Sequence, residues 1–241
     1  MISVAIIGAT GYTGFELIRL LTNHPQVQIT LITSRELAGE KLKNFYGIPG
    51  KIGNLVFAPP QPDLISEKAE VAFLCVPSGK AQELAYGLFK RGLKIIDLSA
   101  DFRFSNLTIY EKVYKIPHSY PELIKKSAYG LSEIFTEEIK SAFIIGNPGC
   151  YPTAALLPLI PLIKEGLIEK EPIIIDAKSG TSGAGRKAEN YYSFCEINED
   201  FKAYKVGEHR HTPEMEEKLS IFAKSPIKVV FTPHLLPVNR G

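Results

Sequence analysis

The sequence predicts an α/β protein in which a doubly wound domain with a parallel sheet precedes an α+β domain. Over the first half, short apolar runs of strand length alternate with amphipathic helical patterns, as in parallel sheets covered by helices on both faces. A glycine-rich segment directly follows the first of these runs. Beyond residue 150 the alternation ends, which indicates a second domain of another class.

Five strands and two helices are predicted in the first half. Their apolar residues follow the periods of buried strands and of one-sided helices. The predicted strands are Val4–Ile7, Gln28–Thr33, Glu70–Pro77, Lys94–Leu98 and Ala142–Ile145, and the predicted helices are Gly14–Leu21 and Gln82–Phe89. Between them, 39–63 and 100–127 contain prolines and aromatic residues and are expected to be ordered loops or excursions rather than linkers.

The second half contains fewer strands and a different order of elements. Pro172–Ala177 and Ile227–Thr232 are predicted strands, separated by a Gly/Ser-rich loop and a polar helix. We therefore place the domain boundary between Gly146 and Cys150, which gives domains 1–147 and 148–241.

The composition is that of an ordinary globular protein, with 45% hydrophobic and 22% charged residues. A net charge of +2 and scattered basic residues argue against a nucleic-acid partner. The apolar runs are strand-sized and the N-terminus lacks a targeting pattern, so we expect no membrane segment and a cytoplasmic protein. The 3 cysteines indicate reduced thiols rather than a disulfide framework, and no metal site is expected.

The first strand leads into a glycine-rich turn that opens the first helix, which is the position of a dinucleotide-binding fingerprint. Small residues there let the backbone approach a pyrophosphate at the helix N-terminus. The spacing is G-x-x-G-x-x-G rather than G-x-G-x-x-G, and a plain tight turn is the alternative. The predicted cofactor residues of this turn are Gly8, Thr10, Gly11, Tyr12, Thr13 and Gly14.

The end of the second strand indicates which dinucleotide binds. NAD-selective enzymes usually carry an acidic residue there, whereas this strand ends in Ser34 and Arg35. Because arginine pairs well with phosphate oxygens, we predict NADP, with a solvated Arg35 as the alternative. Pro77 and Ser78 follow the third strand and are expected to form a wall of the cofactor cleft.

Cys150 has the sequence context of an activated nucleophile. An apolar strand ends in Asn147-Pro148-Gly149, the cysteine follows, and a helical pattern begins with Pro152 in its first turn. A helix N-terminus favours a thiolate and offers N–H groups to an oxyanion. Cys75 and Cys195 are expected to be structural.

His209 and His211 precede a predicted helix that has Thr212 as N-cap and Pro213 at its first position. One of them is expected to be the acid/base partner of Cys150, and we favour His209 slightly over His211. An extended backbone would turn the two rings to opposite sides. The alternative is that both are polar surface residues beside a helix.

Five segments together resemble the N-acetyl-gamma-glutamyl-phosphate reductase family, the arginine-pathway relatives of aspartate-semialdehyde dehydrogenase. The resemblance covers the whole chain, and its cysteine and histidine motifs are the specific part. The segments are Gly8–Gly14, Asp97–Arg103, Gly146–Thr153, Ser179–Arg186 and Glu208–Glu214.

The resemblance implies a reaction and its participants. An acyl phosphate acylates the cysteine, NADPH reduces the thioester to an aldehyde, and the enzyme is a homo-oligomer, a dimer or a tetramer. Arg103 and Arg210 are then candidates for the phosphate and carboxylate ends of the substrate, and an exposed ion pair is the alternative for Arg103. Ser99 and Asn147 are further substrate candidates. Ser182 and Gly183 are expected at the cofactor or at the substrate phosphate, with a flexible surface loop as the alternative.

Further expectations concern the C-terminus, the alternative substrates and an alternative class of protein. Family chains continue beyond the Pro237–Gly241 segment, so the second domain is expected to be incomplete at its C-terminus. The alternative substrates are a homologous acyl phosphate one carbon longer, of the aminoadipyl type used in lysine biosynthesis, and, less favoured, aspartyl phosphate. A non-catalytic nucleotide-binding module is the alternative from another class of protein.

Overall fold

A seven-stranded parallel sheet organises the N-terminal part of the computed structural model, which describes residues 1–186 and 189–240. The strands are β1 (Ile2–Ile7), β2 (Val27–Thr33), β3 (Phe57–Ala58), β4 (Val71–Leu74), β5 (Lys94–Asp97), β6 (Ser127–Tyr129) and β7 (Ile144–Gly146). Their order is β3-β2-β1-β4-β5-β7-β6, and every neighbouring pair is parallel. The order reverses between β1 and β4, and ligands of doubly wound sheets bind outside the strand ends at such a point.

Helices cover both faces of this sheet. They are α1 (Tyr12–Leu21), α2 (Leu42–Tyr46), α3 (Gly50–Gly53), α4 (Pro62–Lys68), α5 (Ala81–Phe89), α6 (Leu107–Tyr114) and α7 (Thr136–Ser141). In β1, Val4 and Ile6 belong to one buried cluster, whereas Ala5 and Ile7 belong to another. Because successive side chains of a strand point to opposite faces, β1 is buried on both sides, as the predicted doubly wound fold requires.

The two segments predicted as ordered loops or excursions contain regular structure. Residues 39–63 include α2, α3, β3 and the start of α4, and residues 100–127 include α6 and a 3-10 helix, Pro121–Lys126. β3 and β6 extend the five predicted strands to seven. Both are only two or three residues long, so they show no period that a sequence pattern could reveal.

The C-terminal part combines three helices with a small mixed sheet. The elements are α8 (Cys150–Lys164), β8 (Ile173–Gly180), α9 (Phe194–Ile197), β9 (Lys202–Ala203), α10 (Thr212–Ala223) and β10 (Val229–Leu236). β10 is central, parallel to β8 and antiparallel to β9. Short 3-10 helices occupy Thr181–Ala184 and Asn190–Tyr192. This is the predicted α+β class, with longer strands than the sequence indicates.

One face of the small sheet is buried and the other is open. Phe231 and Leu235 are 3% and 7% exposed, whereas Ile174 and Val230 are 69% and 58% exposed. α8 and α10 pack against each other and bury residues such as Leu156 and Leu219. Each such side chain contributes about 1.5–3 kcal/mol of hydrophobic stabilisation when fully buried.

The chain divides into two compact units. One comprises 1–111 and 115–147, and the other comprises 112–114 and 148–241. Among the helices of residues 1–186 and 189–240, none has the length and apolar character needed to cross a bilayer.

Candidate functional site

The turn between β1 and α1 requires glycine at two positions. Gly8 has φ +81°, and a Cβ there would overlap the carbonyl oxygen of Cys75. A Cβ on Gly14 would lie 2.6 Å from the Cα of Ala9, so α1 packs directly on the turn. A Cβ on Gly11, the N-cap of α1, would in contrast meet only the Gly8 carbonyl oxygen, at 3.8 Å. Glycine at position 11 thus leaves the positive end of α1 uncovered for a phosphate group.

A cavity of about 580 Å³ opens beside this turn at the carboxyl ends of the strands. Six predicted cofactor residues line it, namely Gly8, Thr10, Gly11, Ser34, Arg35 and Pro77. Its size and its position at the switch between β1 and β4 fit a dinucleotide.

The end of β2, where the sequence predicts the choice of cofactor, lines this cavity. The Ser34 hydroxyl accepts a hydrogen bond from the Leu37 N–H at 3.2 Å, so the turn after the strand is closed. Arg35 is exposed at the cavity edge, where its guanidinium can reach a ligand phosphate. Glu36 lines the same cavity, and sequence reasoning missed this carboxylate because it considered only the strand end itself.

The other predicted cofactor residues lie in three places. Tyr12, Thr13 and Gly14 form the first turn of α1, and Ser78 lies in the turn before α5, where its hydroxyl accepts a hydrogen bond from the Ala100 N–H at 3.3 Å. Ser182 and Gly183 belong to the C-terminal unit, in the 3-10 helix after β8.

A buried polar network occupies the segment after β5. Asp97 is fully buried, and its carboxylate accepts hydrogen bonds from the N–H of Ser99 at 2.9 Å and from its hydroxyl at 2.8 Å. Burial, followed by the charge of Asp101, raises the pKa of Asp97 to about 7. The hydroxyl of Ser99, a predicted substrate residue, therefore donates its proton to Asp97 within the protein.

Arg103 and Asn147 meet at the same end of the sheet. The Arg103 Nε donates to the Asn147 carbonyl at 2.7 Å, and a terminal nitrogen donates to the Leu98 carbonyl at 3.2 Å. Arg103 is only 9% exposed, which favours it as a fixed guanidinium over the solvated ion pair that was the alternative.

Cys150 opens α8 in the C-terminal unit, with Gly149 as N-cap, as the sequence predicts. It is exposed, and it lines a cavity of about 370 Å³. The same cavity is lined by four more predicted site residues, Gly183, His209, Arg210 and His211. Its other lining residues include Tyr151, Tyr192, Tyr204 and Lys205.

The first turn of α10 packs on the residue before the cysteine. The Glu214 carboxylate, with no exposed surface, accepts a hydrogen bond from the Gly149 N–H at 2.9 Å. A Cβ on Gly149 would come within 2.6 Å of the His211 Nε2. Both contacts hold the N-cap of α8 and thereby fix the position of Cys150. α10 begins at Thr212 with His211 as its N-cap, one residue earlier than predicted.

The two histidines lie together rather than on opposite sides. They sit in a turn, with ring centroids 4.8 Å apart, and are 7% and 6% exposed, so neither is a surface residue. The His209 Nδ1 accepts a hydrogen bond from the His211 N–H at 3.1 Å. Burial, followed by the positive charges of Arg210 and Lys205, lowers the pKa of His209 to about 4.

An aromatic wall surrounds His209. Its ring makes edge contacts with Tyr151, Tyr204 and Phe231, at centroid distances of 5.5, 5.7 and 5.3 Å. The hydroxyls of Tyr151 and Tyr204 are 2.9 Å apart, and burial raises the pKa of Tyr204, so the Tyr204 hydroxyl stays neutral. Sequence reasoning missed Tyr204 and Glu214, because only the fold brings them to Cys150. Glu214 ends the Glu208–Glu214 segment, but no role was predicted for it.

The comparisons with known proteins agree along the whole chain. Residues 3–142 match the family model "Semialdehyde dehydrogenase, NAD binding domain", and residues 150–241 match "Semialdehyde dehydrogenase, dimerisation domain". A relative from Caldicellulosiruptor saccharolyticus is 53% identical and one from Acetivibrio thermocellus is 49% identical, both over 241 residues. Both are named N-acetyl-gamma-glutamyl-phosphate reductase, and the match covers all of this chain and 70% of each relative.

Solved structures show the same fold at low identity. Aspartate semialdehyde dehydrogenase with NADP from Candida albicans is 19% identical with a TM-score of 0.63, and the match covers 99% of this chain and 68% of that one. Aspartate semialdehyde dehydrogenase II complexed with ASA from Vibrio cholerae is 17% identical with a TM-score of 0.68, with 99% and 71% coverage.

The three cysteines should differ in reactivity towards iodoacetamide. We expect Cys150 to react first, because it is exposed at a helix N-terminus, and Cys195 to follow as an exposed comparison. Cys75 should react last, because burial raises the pKa of its thiol to about 12. Peptide mass spectrometry after timed labelling gives the order, and faster labelling of Cys195 than of Cys150 would contradict the activated position of Cys150.

His209 should make the stability of the protein depend on pH. Its pKa is lower in the folded chain than its ordinary value of 6.5, so the unfolded chain binds a proton first as the pH falls. Stability is therefore lost between about pH 6.5 and about pH 4, by on the order of 2–3 kcal/mol. Urea unfolding of His209→Gln should show a smaller loss over this range, whereas His24→Gln, at an exposed position, should behave like the wild type.

Proposed function

We propose a reaction course centred on Cys150 for this chain, which belongs to the N-acetyl-gamma-glutamyl-phosphate reductase family. It is an NADP-dependent oxidoreductase that reduces N-acetyl-gamma-glutamyl phosphate to the semialdehyde, with release of phosphate, in arginine biosynthesis. The observation that carries the proposed course is the exposed thiol at the N-terminus of α8, in one cavity with two buried histidines and an arginine.

Cys150 is the nucleophile. Its sulfur attacks the acyl carbon, and a C–S bond forms while the C–O bond to phosphate breaks and the phosphate leaves with the electron pair. Backbone N–H groups of the first turn of α8 stabilise the charge that develops on the acyl oxygen. The product of this step is a thioester on Cys150.

A histidine controls the proton in the second half of the reaction. NADPH, when bound, supplies a hydride to the thioester carbon. The imidazole then donates a proton as the C–S bond breaks, so that the aldehyde leaves and the thiol is restored. In the reverse direction the same ring takes the proton of the Cys150 thiol as the sulfur attacks the aldehyde carbon.

His211 is our candidate for this ring, and His209 is a positioning residue or the alternative. The sequence slightly favours His209, but two observations support His211. Its Nε2 lies against Gly149, the residue before Cys150. The pKa of His209, about 4, leaves that ring neutral near pH 7, where its Nδ1 holds the His211 backbone N–H.

Arg210 is the proposed substrate anchor of the Cys150 cavity, because its guanidinium can bind a carboxylate or a phosphate through two hydrogen bonds. Ser99, Arg103 and Asn147 remain predicted substrate residues of the N-terminal unit. Arg103, held by two backbone carbonyls, presents its charge in a fixed direction.

The proposed NADPH site is the cavity beside the β1–α1 turn. The pyrophosphate would lie at the N-terminus of α1, and Ser34 and Arg35 would hold the 2′-phosphate. Tyr12, Thr13, Gly14 and Ser78 belong to the same proposed site, whereas Ser182 and Gly183 are proposed to reach the cofactor from the C-terminal unit.

The match of residues 150–241 to a dimerisation domain indicates a homo-oligomer, and we propose a dimer or a tetramer. The three cysteines carry free thiols, which fits the reducing cytoplasm as the proposed location.

Exchange of each histidine for asparagine tests the proton transfer. We expect His211→Asn to lower turnover in both directions by roughly a hundredfold or more, the usual scale for a lost general acid–base, with alkylation of Cys150 retained. His209→Asn should have the smaller effect. The assay is oxidation of the semialdehyde with phosphate and NADP. A hundredfold loss in His209→Asn alone would assign the proton transfer to His209.

Arg35→Ala tests the choice of cofactor. Loss of a charge-assisted hydrogen bond to the 2′-phosphate should weaken NADPH binding by about tenfold or more, with NADH binding nearly unchanged. Glu36→Gln, its matched neighbour, should bind NADPH at least as well as the wild type. Fluorescence titration gives both dissociation constants, and an equal loss of NADPH and NADH binding in Arg35→Ala would remove Arg35 from the phosphate site.

A further inference from the structure

We propose that Asp101 is a positioning residue for cofactor binding, which acts by locking the turn that forms one wall of the cofactor cavity. The inference rests on the proposed assignment of the cavity beside the β1–α1 turn to NADPH. The turn, residues 77–81, connects β4 with α5 and is called the wall turn below.

The Asp101 carboxylate accepts four hydrogen bonds, three of them from the wall turn. The Gly79 N–H lies 2.7 Å from Oδ1 and 2.9 Å from Oδ2, and the Ala81 N–H lies 3.1 Å from Oδ2. The Tyr110 hydroxyl donates the fourth bond, to Oδ1, at 2.8 Å. Asp101, which lies 22 residues after Gly79 and 20 after Ala81, thus caps the start of α5.

A carboxylate is the group that suits this position. Asp101 is 1% exposed, so its charge needs donors in the protein, and backbone N–H groups at the start of the nine-residue α5 supply them together with the positive end of the helix dipole. The donor Tyr110 is itself fixed, because its oxygen accepts a hydrogen bond from the Gln82 side chain at 3.3 Å.

The wall turn combines this support with a backbone conformation that suits glycine. Gly79 has φ +84°, and a Cβ there would lie 3.0 Å from the Ile116 side chain, so glycine is the residue that fits this position. The hydrogen bonds from Gly79 and Ala81 to Asp101 form the lock of this turn. Two neighbouring residues, Pro77 and Lys80, line the cavity. The lock therefore sets the width of the cavity and the position of one of its two cationic side chains.

Asp101→Asn is the informative variant. The amide keeps one acceptor oxygen, but its NH₂ group faces a backbone N–H that has lost its partner. We expect the dissociation constant of NADPH to rise about tenfold, as for the loss of a hydrogen bond to a charged group, while turnover at saturating NADPH stays within about twofold. Tyr110→Phe is the matched control, because it removes the one bond to Asp101 that does not come from the wall turn, together with the acceptor of the Gln82 side chain. It should destabilise the fold but leave NADPH affinity within about twofold.

The measurements are fluorescence titration with NADPH and thermal unfolding of Asp101→Asn, Tyr110→Phe and Arg35→Ala. If Arg35→Ala weakens NADPH binding and Asp101→Asn does not, the cavity assignment stands and the lock is wrong. If neither variant weakens binding, both proposals fall. An equal loss of NADPH affinity in Asp101→Asn and Tyr110→Phe would also overturn the lock. The affinity loss would then result from lower stability of the fold rather than from a change in the wall turn.

Hydrogen exchange of the unaltered protein tests the lock even if Asp101→Asn does not fold. The Gly79 and Ala81 amides should exchange slowly without any cofactor, since a buried carboxylate holds them. Exchange of these amides as fast as in an exposed loop, under conditions where β4 stays protected, would contradict the proposal.

Discussion

The first turn of α10 closes on Gly149, and the position of the nucleophile depends on that contact. The Glu214 carboxylate holds the Gly149 N–H at 2.9 Å, and the His211 ring occupies the space that a side chain at position 149 would need. Since Gly149 is the N-cap of α8, fixing it fixes the direction in which the helix begins. Cys150, the next residue, therefore stands exposed beside two buried histidines.

Burial strengthens the contact between Glu214 and Gly149 and also makes its loss destabilising. Glu214 has no exposed surface, so its carboxylate is stable there only while donors such as the Gly149 N–H surround it. The rings of Tyr151 and Phe231 contact His209, and its burial keeps it neutral near pH 7 and leaves its Nδ1 as an acceptor. A polar site that is closely packed in this way holds its groups in one arrangement, which a reaction with defined proton positions requires.

Sequence patterns revealed what is local and missed what is distant. The fold class, the glycine turn, Cys150 at a helix N-terminus and most core strands follow from periods and spacings of a few residues. Glu214 lies 65 residues after Gly149, and Asp101 lies 22 after Gly79, so no spacing connects either pair. An extended backbone would turn His209 and His211 to opposite sides, whereas the chain forms a turn there and brings both rings together.

The central claim, a covalent thioester on Cys150, is tested most directly by trapping it. The protein is mixed with N-acetyl-gamma-glutamyl phosphate without NADPH, and phosphate release and peptide masses are followed. We predict a burst of one phosphate per active site and one added acyl group on the peptide that contains Cys150, both absent in Cys150→Ser. Normal turnover with NADPH but no burst, or an acyl group on another residue, would contradict the account.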